Sequence, residues 1–451
     1  MLKTIAAIVT LSLALVAQVQ ADEKAYSLID IYQQALAHDP QLASALSANR
    51  AAQEIIEQGK ALYRPTVNFN ADTNQFSTDI RYVGINKASS SSTFETYKYG
   101  VDLRQPIYRK QNLVQMDQSK TQVSQADKQL HLSQQNLILR VTQSYFDVLI
   151  AQDKIDLIAA QKSAILSQLE QAKANFEVGT STITDVNESQ ARFDLVLAQE
   201  IATKNELQIA KHAIQALTGS LPQKLATVKA DIKTRQLEQS MDKWVEVAAI
   251  NNLNIQIQQD AAKFAEQEVE RLSAAHLPTL DAVVSYTDSY ANGSASAFSA
   301  GNELKTSAIG LQLQIPLYQG GAISSRVRQA VLNQQKAQDD VAVARSNTEL
   351  ETQRAYLNLS TSIAQVKAFE QALISSQSQV DSTKLGYEVG VRTSVDVLNA
   401  EQQYFAAKRD LLQSRYNYLV NIIRLKASSG VVAEADLADV NQQLVVLAGG
   451  Q

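Results

Sequence analysis

The sequence contains no cysteine and few residues that interrupt regular structure, with 6 Pro and 15 Gly in 451 residues. The lack of cysteine excludes disulfides, thiol catalysis and Cys-ligated zinc or iron–sulfur sites. A formal net charge of −5 argues against a nucleic-acid binder, which normally carries a basic surplus. The 4 histidines have no metal-ligand spacing, and hydrolase, phosphate-loop and zinc-protease motifs are missing. We therefore expect a protein that is not an enzyme, with no cofactor, no metal site and no nucleic-acid partner.

Long apolar runs are confined to the start of the chain. A positively charged start at residues 1–3 precedes an apolar run over residues 5–16, followed by small residues. This pattern predicts a secretory signal peptide over residues 1–21 with Asp22 as the mature start. The alternative is a membrane anchor, but the run is shorter than the ~20 residues that a spanning helix needs. An exported chain without a later run of that length is either soluble or a membrane β-barrel.

The rest of the chain consists of two copies of one pattern. The segment Gly100–Tyr108 matches Gly310–Tyr318, and Val178–Val186 matches Val389–Val397. The offset between the copies stays near 211 residues throughout, which indicates a duplicated structural unit. The predicted organisation is a first repeat over 22–219, an inter-repeat segment at 220–240, a second repeat over 241–430 and a tail at 431–451.

Each repeat shows the same order of elements. The patterns predict amphipathic helices at 27–62 and 241–275, β-hairpins at 64–108 and 278–318, and long helix pairs at 110–217 and 320–427. In the clearest strand, Ile309, Leu311 and Leu313 alternate with Gln312 and Gln314. Such strands are long enough to cross a bilayer when tilted, at ~9–11 residues. The same alternation fits a half-buried sheet of a soluble protein, but the export signal and the charged polar face favour a membrane β-barrel.

The long helices limit how the chain can be arranged. Each would extend about 100 Å, so the helices must associate side by side as in coiled coils. Taken alone, they also fit a secreted or surface coiled coil, or an adhesin without a pore. Four strands in one chain cannot close a barrel, and an open sheet edge is not tolerated in lipid. If the strands lie in a membrane, several chains must therefore share one barrel.

The two helix turns resemble those of the TolC family of outer-membrane export channels. The resemblance rests on Val178–Val186, Tyr387–Ala400 and the duplicated unit, and it extends over the whole mature chain. The predicted mature start, Asp22, is not a cysteine. In this respect the chain is similar to the branch of the family without a lipid anchor. The resemblance implies a mainly helical homotrimer, with a twelve-stranded β-barrel in outer-membrane lipid and a helical barrel extending through the periplasm. The inter-repeat segment and the tail would form an equatorial collar.

The resemblance also implies a role and partners. The chain would be the exit duct for type I protein secretion or multidrug efflux. It would be joined through a periplasmic adaptor protein to an inner-membrane ABC or RND-type transporter. The sequence does not separate protein secretion from drug efflux.

The turns themselves contain the candidate site residues. Gly179 and Gly390 stand where helix-ending glycines are common. Thr182-x-x-Asp185 and Thr393-x-x-Asp396 both fit a capping box, which by itself accounts for both acids.

The turns differ where Tyr387 replaces Phe176 and where Arg392 replaces Ser181. The resemblance implies that Tyr387 and Arg392 bond Asp185 and Thr184 of a neighbouring turn and narrow the periplasmic entrance. The alternative is that Arg392 is a solvated loop charge. In the family, two acidic rings follow in the pore. Asp396 matches the first, whereas Asn399 departs from the second and predicts weaker cation binding.

Overall fold

The computed structural model describes residues 25–81, 83, 89–222, 224–229, 232, 234–294 and 300–445. The signal peptide predicted over 1–21 and the mature start at Asp22 lie outside the described residues. The end of the tail, 446–451, also lies outside them.

Helices make up most of the described chain. In the first half they are α1 (Leu28–His38), α2 (Pro40–Ala61), α3 (Lys110–Glu177) and α4 (Ile183–Thr218). In the second half they are α5 (Met241–Asn251), α6 (Leu253–Ser273), α7 (Ala322–Glu388), α8 (Ser394–Ser428) and α9 (Glu434–Asn441), with a 3₁₀ turn at Ala274–His276. The two longest, α3 and α7, have 68 and 67 residues. Helix α3 ends at Glu177 and α7 ends at Glu388, as the sequence patterns predicted.

The prediction of one unbroken helix at the start of each repeat was wrong. The first helix is interrupted at Asp39, because the residue before Pro40 is pushed out of helical geometry. The Asp39 carboxylate then accepts a hydrogen bond from the Leu42 backbone at 3.0 Å and begins the next helix. In the second repeat the break lies at Asn252, where no proline stands. There the Asn252 side chain donates to the Ser428 carbonyl at 2.8 Å, so the interruption has a tertiary cause.

Four of the six strands in the described residues form one antiparallel sheet in the order β1-β2-β4-β5. They are β1 (Thr66–Arg81), β2 (Ser89–Tyr108), β4 (Thr279–Ala291) and β5 (Asn302–Gln314). Strand β5 ends before the alternation does, since the pattern predicted a strand as far as Leu317. Pro316 has no backbone N–H to donate to a ladder, which is consistent with the earlier end.

The register gives the sheet two different faces. One cross-strand row consists of Val67, Leu103, Val284 and Ile309, and the next row consists of Asn68, Asp102, Ser285 and Ala308. The apolar row is not covered by the chain itself: Ile309 is 86% exposed. Within the described residues, the outer edges of β1 and β5 pair with no further strand.

A smaller sheet joins the segment between the repeats to the tail. Strand β3 (Thr227–Val228) pairs antiparallel with β6 (Leu444–Val445). The neighbouring Ala226 carbonyl accepts a hydrogen bond of 2.7 Å from the buried Tyr145 hydroxyl of α3. The parts predicted to form a collar therefore contact each other beside a long helix.

The chain divides into two compact units. The described residues of the first lie within Met1–Ser44, His131–Asn252 and Asn347–Gln451, and its core includes Tyr145, Phe146 and Ile423. The second comprises Ala45–Leu130 and Leu253–Ser346, and it contains the four-stranded sheet. In the second unit the buried Asp281 pairs with Arg104 at 2.6 Å and with Arg109 at 2.5 Å. Among the helices of the described residues, none is both long and apolar enough to cross a membrane.

Candidate functional site

The candidate site residues lie in two helix turns of the first unit and in the helices that flank these turns. Gly179 follows the end of α3 with φ +77°, and Gly390 follows the end of α7 with φ +78°. This left-handed conformation costs other L-residues energy but is open to glycine. The chain reverses at each glycine and begins α4 or α8 a few residues later.

Both new helices begin with the predicted capping box. The Thr182 backbone N–H and hydroxyl donate to Asp185 Oδ2 at 3.0 and 2.8 Å, and the Asp185 N–H donates back to the hydroxyl. In the second turn Thr393 and Asp396 form the same pair at 2.9 and 3.0 Å. The backbone hydrogen bond from Thr393 is the main reason that the pKa of Asp396 lies below its usual range. Nearby Arg392 lowers it further through its positive charge.

Asp185 is also bonded by the other turn. Its Oδ1 accepts a hydrogen bond of 2.9 Å from the Ser394 hydroxyl, the first residue of α8. The Ser181 hydroxyl donates to Oδ2 at 2.8 Å. These donors, led by the Thr182 backbone, lower the pKa of Asp185 to about 2. The carboxylate is therefore ionised at every physiological pH and joins the two turns.

Tyr387 also links the two repeats, but through a residue that the sequence did not single out. Its phenolic oxygen accepts a hydrogen bond of 3.3 Å from the Asn175 side chain of α3. Arg392 and Thr184 are exposed, and within the described residues neither side chain makes a hydrogen bond or ion pair. One chain thus brings Asp185 and Tyr387 into contacts between repeats and leaves Arg392 and Thr184 open to solvent.

Asn399 is bound by an arginine from the first repeat. The Arg192 guanidinium of α4 donates to Asn399 Oδ1 at 2.7 Å and to Gln402 Oε1 at 2.7 Å. It also donates to Glu188, four residues earlier on its own helix, at 3.2 Å. The position where the resemblance places an acidic ring is therefore held by a cation.

Ser394, Asn175 and Arg192 were missed by sequence reasoning. Each stands where the two repeats differ: the 211-residue offset aligns Ser394 with Ile183, Asn175 with Gly386 and Arg192 with Gln403. None of the three belongs to a local motif, and only the difference between the copies marks them in the sequence. Among the described residues, no group of acids and histidines is arranged to hold a metal ion.

The fold and these turns define a class of protein. The sheet has one apolar and one polar face, which is the pattern of strands that lie between lipid and a water-filled lumen. The model of the outer membrane efflux protein family matches residues 31–220 and 244–431 of the chain. The chain therefore belongs to this family, and it is a channel of the bacterial outer membrane that acts as an exit duct.

Individual relatives agree with this assignment. The outer membrane protein TolC of Vibrio cholerae is 33% identical over 94% of this chain and 94% of its own length. The proteases secretion protein PrtF of Dickeya chrysanthemi is 28% identical over 92% of this chain and 90% of its own. The crystal structure of the CmeC outer membrane channel of Campylobacter jejuni has the same fold, with a TM-score of 0.76. That structure is 15% identical over 93% of this chain and 90% of that chain.

Proposed function

We propose that three copies of the chain form one duct, with a twelve-stranded barrel in the outer membrane. The sheet supports an oligomer, because its edge strands β1 and β5 have no outer partner within the described residues, and the number three is what the family resemblance implies. Three sheets of four strands would close a barrel in which every edge strand is paired. Lipid requires this pairing, because it offers no hydrogen-bond partners to the backbone groups of an open edge. The apolar row of Val67, Leu103, Val284 and Ile309 would face lipid, and the row of Asn68 and Asp102 would face water.

The proposed partners follow from the family. The duct would meet a periplasmic adaptor, and through it an inner-membrane transporter of the ABC or RND type. The relatives include two proteins named for protease secretion and one named for efflux. Deletion of the gene, followed by assays of a drug panel and of secreted proteins, separates the two uses. A defect in neither would contradict the role as an exit duct.

The proposed gate lies at the two turns. Asp185 of the first turn and Ser394 of the second are already joined in one chain, so the turns are close enough to be tied. Arg392 is exposed in the single chain. Its guanidinium would donate to Asp185 or to the Thr184 hydroxyl of the adjacent copy, and Tyr387 would support the same contact. Asp396 and Asn399, slightly further along α8, would line the narrow part.

The experiment that tests the gate changes Tyr387→Phe together with Arg392→Ser. Both changes bring the second repeat closer to the first, which has Phe176 and Ser181 at these positions, so the fold accepts them. Each of these hydrogen bonds, at a solvent-exposed helix turn, stabilises the closed entrance by only about 0.5–1.5 kcal/mol. The same contacts would be present in every copy of the oligomer, so their contributions add. We expect normal assembly and a several-fold higher conductance in planar bilayers. Unchanged conductance of a correctly assembled oligomer would place the constriction elsewhere.

A further inference from the structure

Arg192 makes a cross-helix contact that the family resemblance did not indicate. One of its terminal nitrogens donates to Gln402 Oε1, and the other donates to Asn399 Oδ1 and Glu188 Oε1. Two of these three acceptors belong to α8 of the second repeat, whereas Arg192 and Glu188 belong to α4 of the first. We call this set of four residues the Arg192 bridge.

The repeat offset gives the bridge an internal symmetry. Glu188 and Asn399 are equivalent positions of the two copies, separated by 211 residues. A single nitrogen of Arg192 therefore binds the same position in both repeats. The second repeat has Gln403 in place of Arg192, so it cannot form the reciprocal bridge.

The surroundings of the bridge make it effective. The Arg192 side chain is 22% exposed, which limits competition from water. One helical turn further, Val196 of α4 packs with Leu398 of α8 and Ile165 of α3 in a buried apolar cluster. Because the cluster and the bridge join the same pair of helices, they resist separation of α8 from α4 at adjacent points. Charge-assisted hydrogen bonds in a partly dry site are stronger than neutral ones.

We propose that Arg192 is a positioning residue that holds α8 against α4 in the closed entrance, and that its contacts with Asn399 and Gln402 separate when the entrance opens. The proposal rests on the gate proposed above, since it assumes that α8 moves relative to the first repeat. In this proposal Asn399 acts as a hydrogen-bond acceptor for Arg192. The resemblance instead placed this position in an acidic ring of the pore. The amide accepts this bond without adding a second carboxylate beside Glu188.

The test uses two substitutions that change charge in the same direction but act oppositely on the bridge. Arg192→Gln removes the cation and the contacts with α8. Asn399→Asp adds an anion and turns the contact with Arg192 into an ion pair. Both make the region more negative by one charge per chain. An effect of pore charge alone would therefore have the same sign in both variants.

The proposal predicts opposite signs. In planar bilayers, Arg192→Gln should raise the conductance of the closed channel several-fold, and Asn399→Asp should leave it unchanged or lower it. In the double variant Asn399→Asp should have no closing effect, because its partner is gone. Arg354→Gln is the matched control. Arg354 is 61% exposed, and among the described residues it pairs only with Glu351 on its own helix, so the conductance should not change.

The remaining outcomes separate this proposal from the gate proposal. If Tyr387→Phe with Arg392→Ser opens the channel but Arg192→Gln does not, the gate stands and the Arg192 bridge is rejected. If Arg192→Gln and Asn399→Asp shift conductance and ion selectivity in the same direction, Arg192 acts through pore charge and the proposal is wrong. If no variant at the turns changes conductance, the gate itself is misplaced.

Discussion

The hydroxyl of Ser394 donates a hydrogen bond of 2.9 Å to Oδ1 of Asp185, so the first residue of the second-repeat helix is bound to the capping acid of the first-repeat helix. The other oxygen of the same carboxylate completes the capping box with Thr182. Asp185 therefore both begins its own helix and joins the two turns. A change that removes only the Ser394 contact separates these two roles.

Ser394→Ala should weaken the closed entrance without affecting the fold. The capping box of Asp185 stays intact, and only the bond between the turns is lost. We expect wild-type yield of the assembled oligomer and a measurable rise in conductance in planar bilayers. Ser181→Ala is the matched control, because Ser181 donates to the same carboxylate at 2.8 Å from within the first turn. An equal rise in both variants would show that the charge environment of Asp185 matters and the contact between the turns does not.

Mild acid should not open the entrance through Asp185. Hydrogen bonds within its own turn, led by the Thr182 backbone, are the main reason that the pKa of this carboxyl is lowered to about 2. Asp185 therefore contributes fully to folding above the ordinary value near 4 and loses that contribution only as the pH falls through about 2, so it stays ionised at pH 5. We expect the conductance to be constant from pH 7 to pH 5. A titration of channel opening centred at pH 5–6 and abolished by Asp185→Asn would contradict this pKa and its structural cause.

Gly390→Ala should destabilise the second turn. Gly390 has φ +78°, and an L-residue in this conformation costs roughly 1–2 kcal/mol. The surrounding space is open, so backbone strain is the only cost of the added methyl group. We expect a lower thermal midpoint for the first unit in mild detergent. Gly310→Ala in β5 has equal space without the positive φ and should leave the midpoint unchanged. Similar shifts in both variants would refute the argument from strain.

Arginine should be tolerated on only one face of the sheet. Leu311 lies on the apolar face and is 69% exposed in the single chain, as expected for a side chain that faces lipid. Leu311→Arg should cost about 2–4 kcal/mol near the bilayer midplane and reduce the amount of assembled oligomer in outer membranes. The adjacent Gln312 lies on the other face, so Gln312→Arg should assemble and change only conductance. Equal assembly of the two variants would contradict the membrane barrel.

Much of the architecture could be predicted because it depends on local patterns. The alternation of apolar and polar residues indicated all four strands, and α3 begins and ends where predicted. The capping boxes of Asp185 and Asp396 follow from spacing within one turn of chain. The break at Asn252 could not be predicted, because it depends on Ser428, which is far away in sequence.

The candidate site was predicted only in part for the same reason. Asp185 and Tyr387 do take part in contacts between the repeats, but their partners in one chain are Ser394 and Asn175. Ser394 and Asn175 are polar helix residues, and no sequence motif marks either of them. The contacts proposed for Arg392 and Thr184 need a neighbouring copy, so they remain a prediction. The assignment to the family, by contrast, is confirmed over nearly the whole chain.

Every role described above requires that this chain form a water-filled duct across the outer membrane. The most direct test is single-channel recording of the purified wild-type oligomer in a planar lipid bilayer. We expect discrete and uniform conductance steps, each produced by one inserted oligomer. These steps should increase in size when Tyr387→Phe and Arg392→Ser are introduced. A correctly folded protein that binds the bilayer but gives no steps, or that stays in solution without detergent, would contradict the claim.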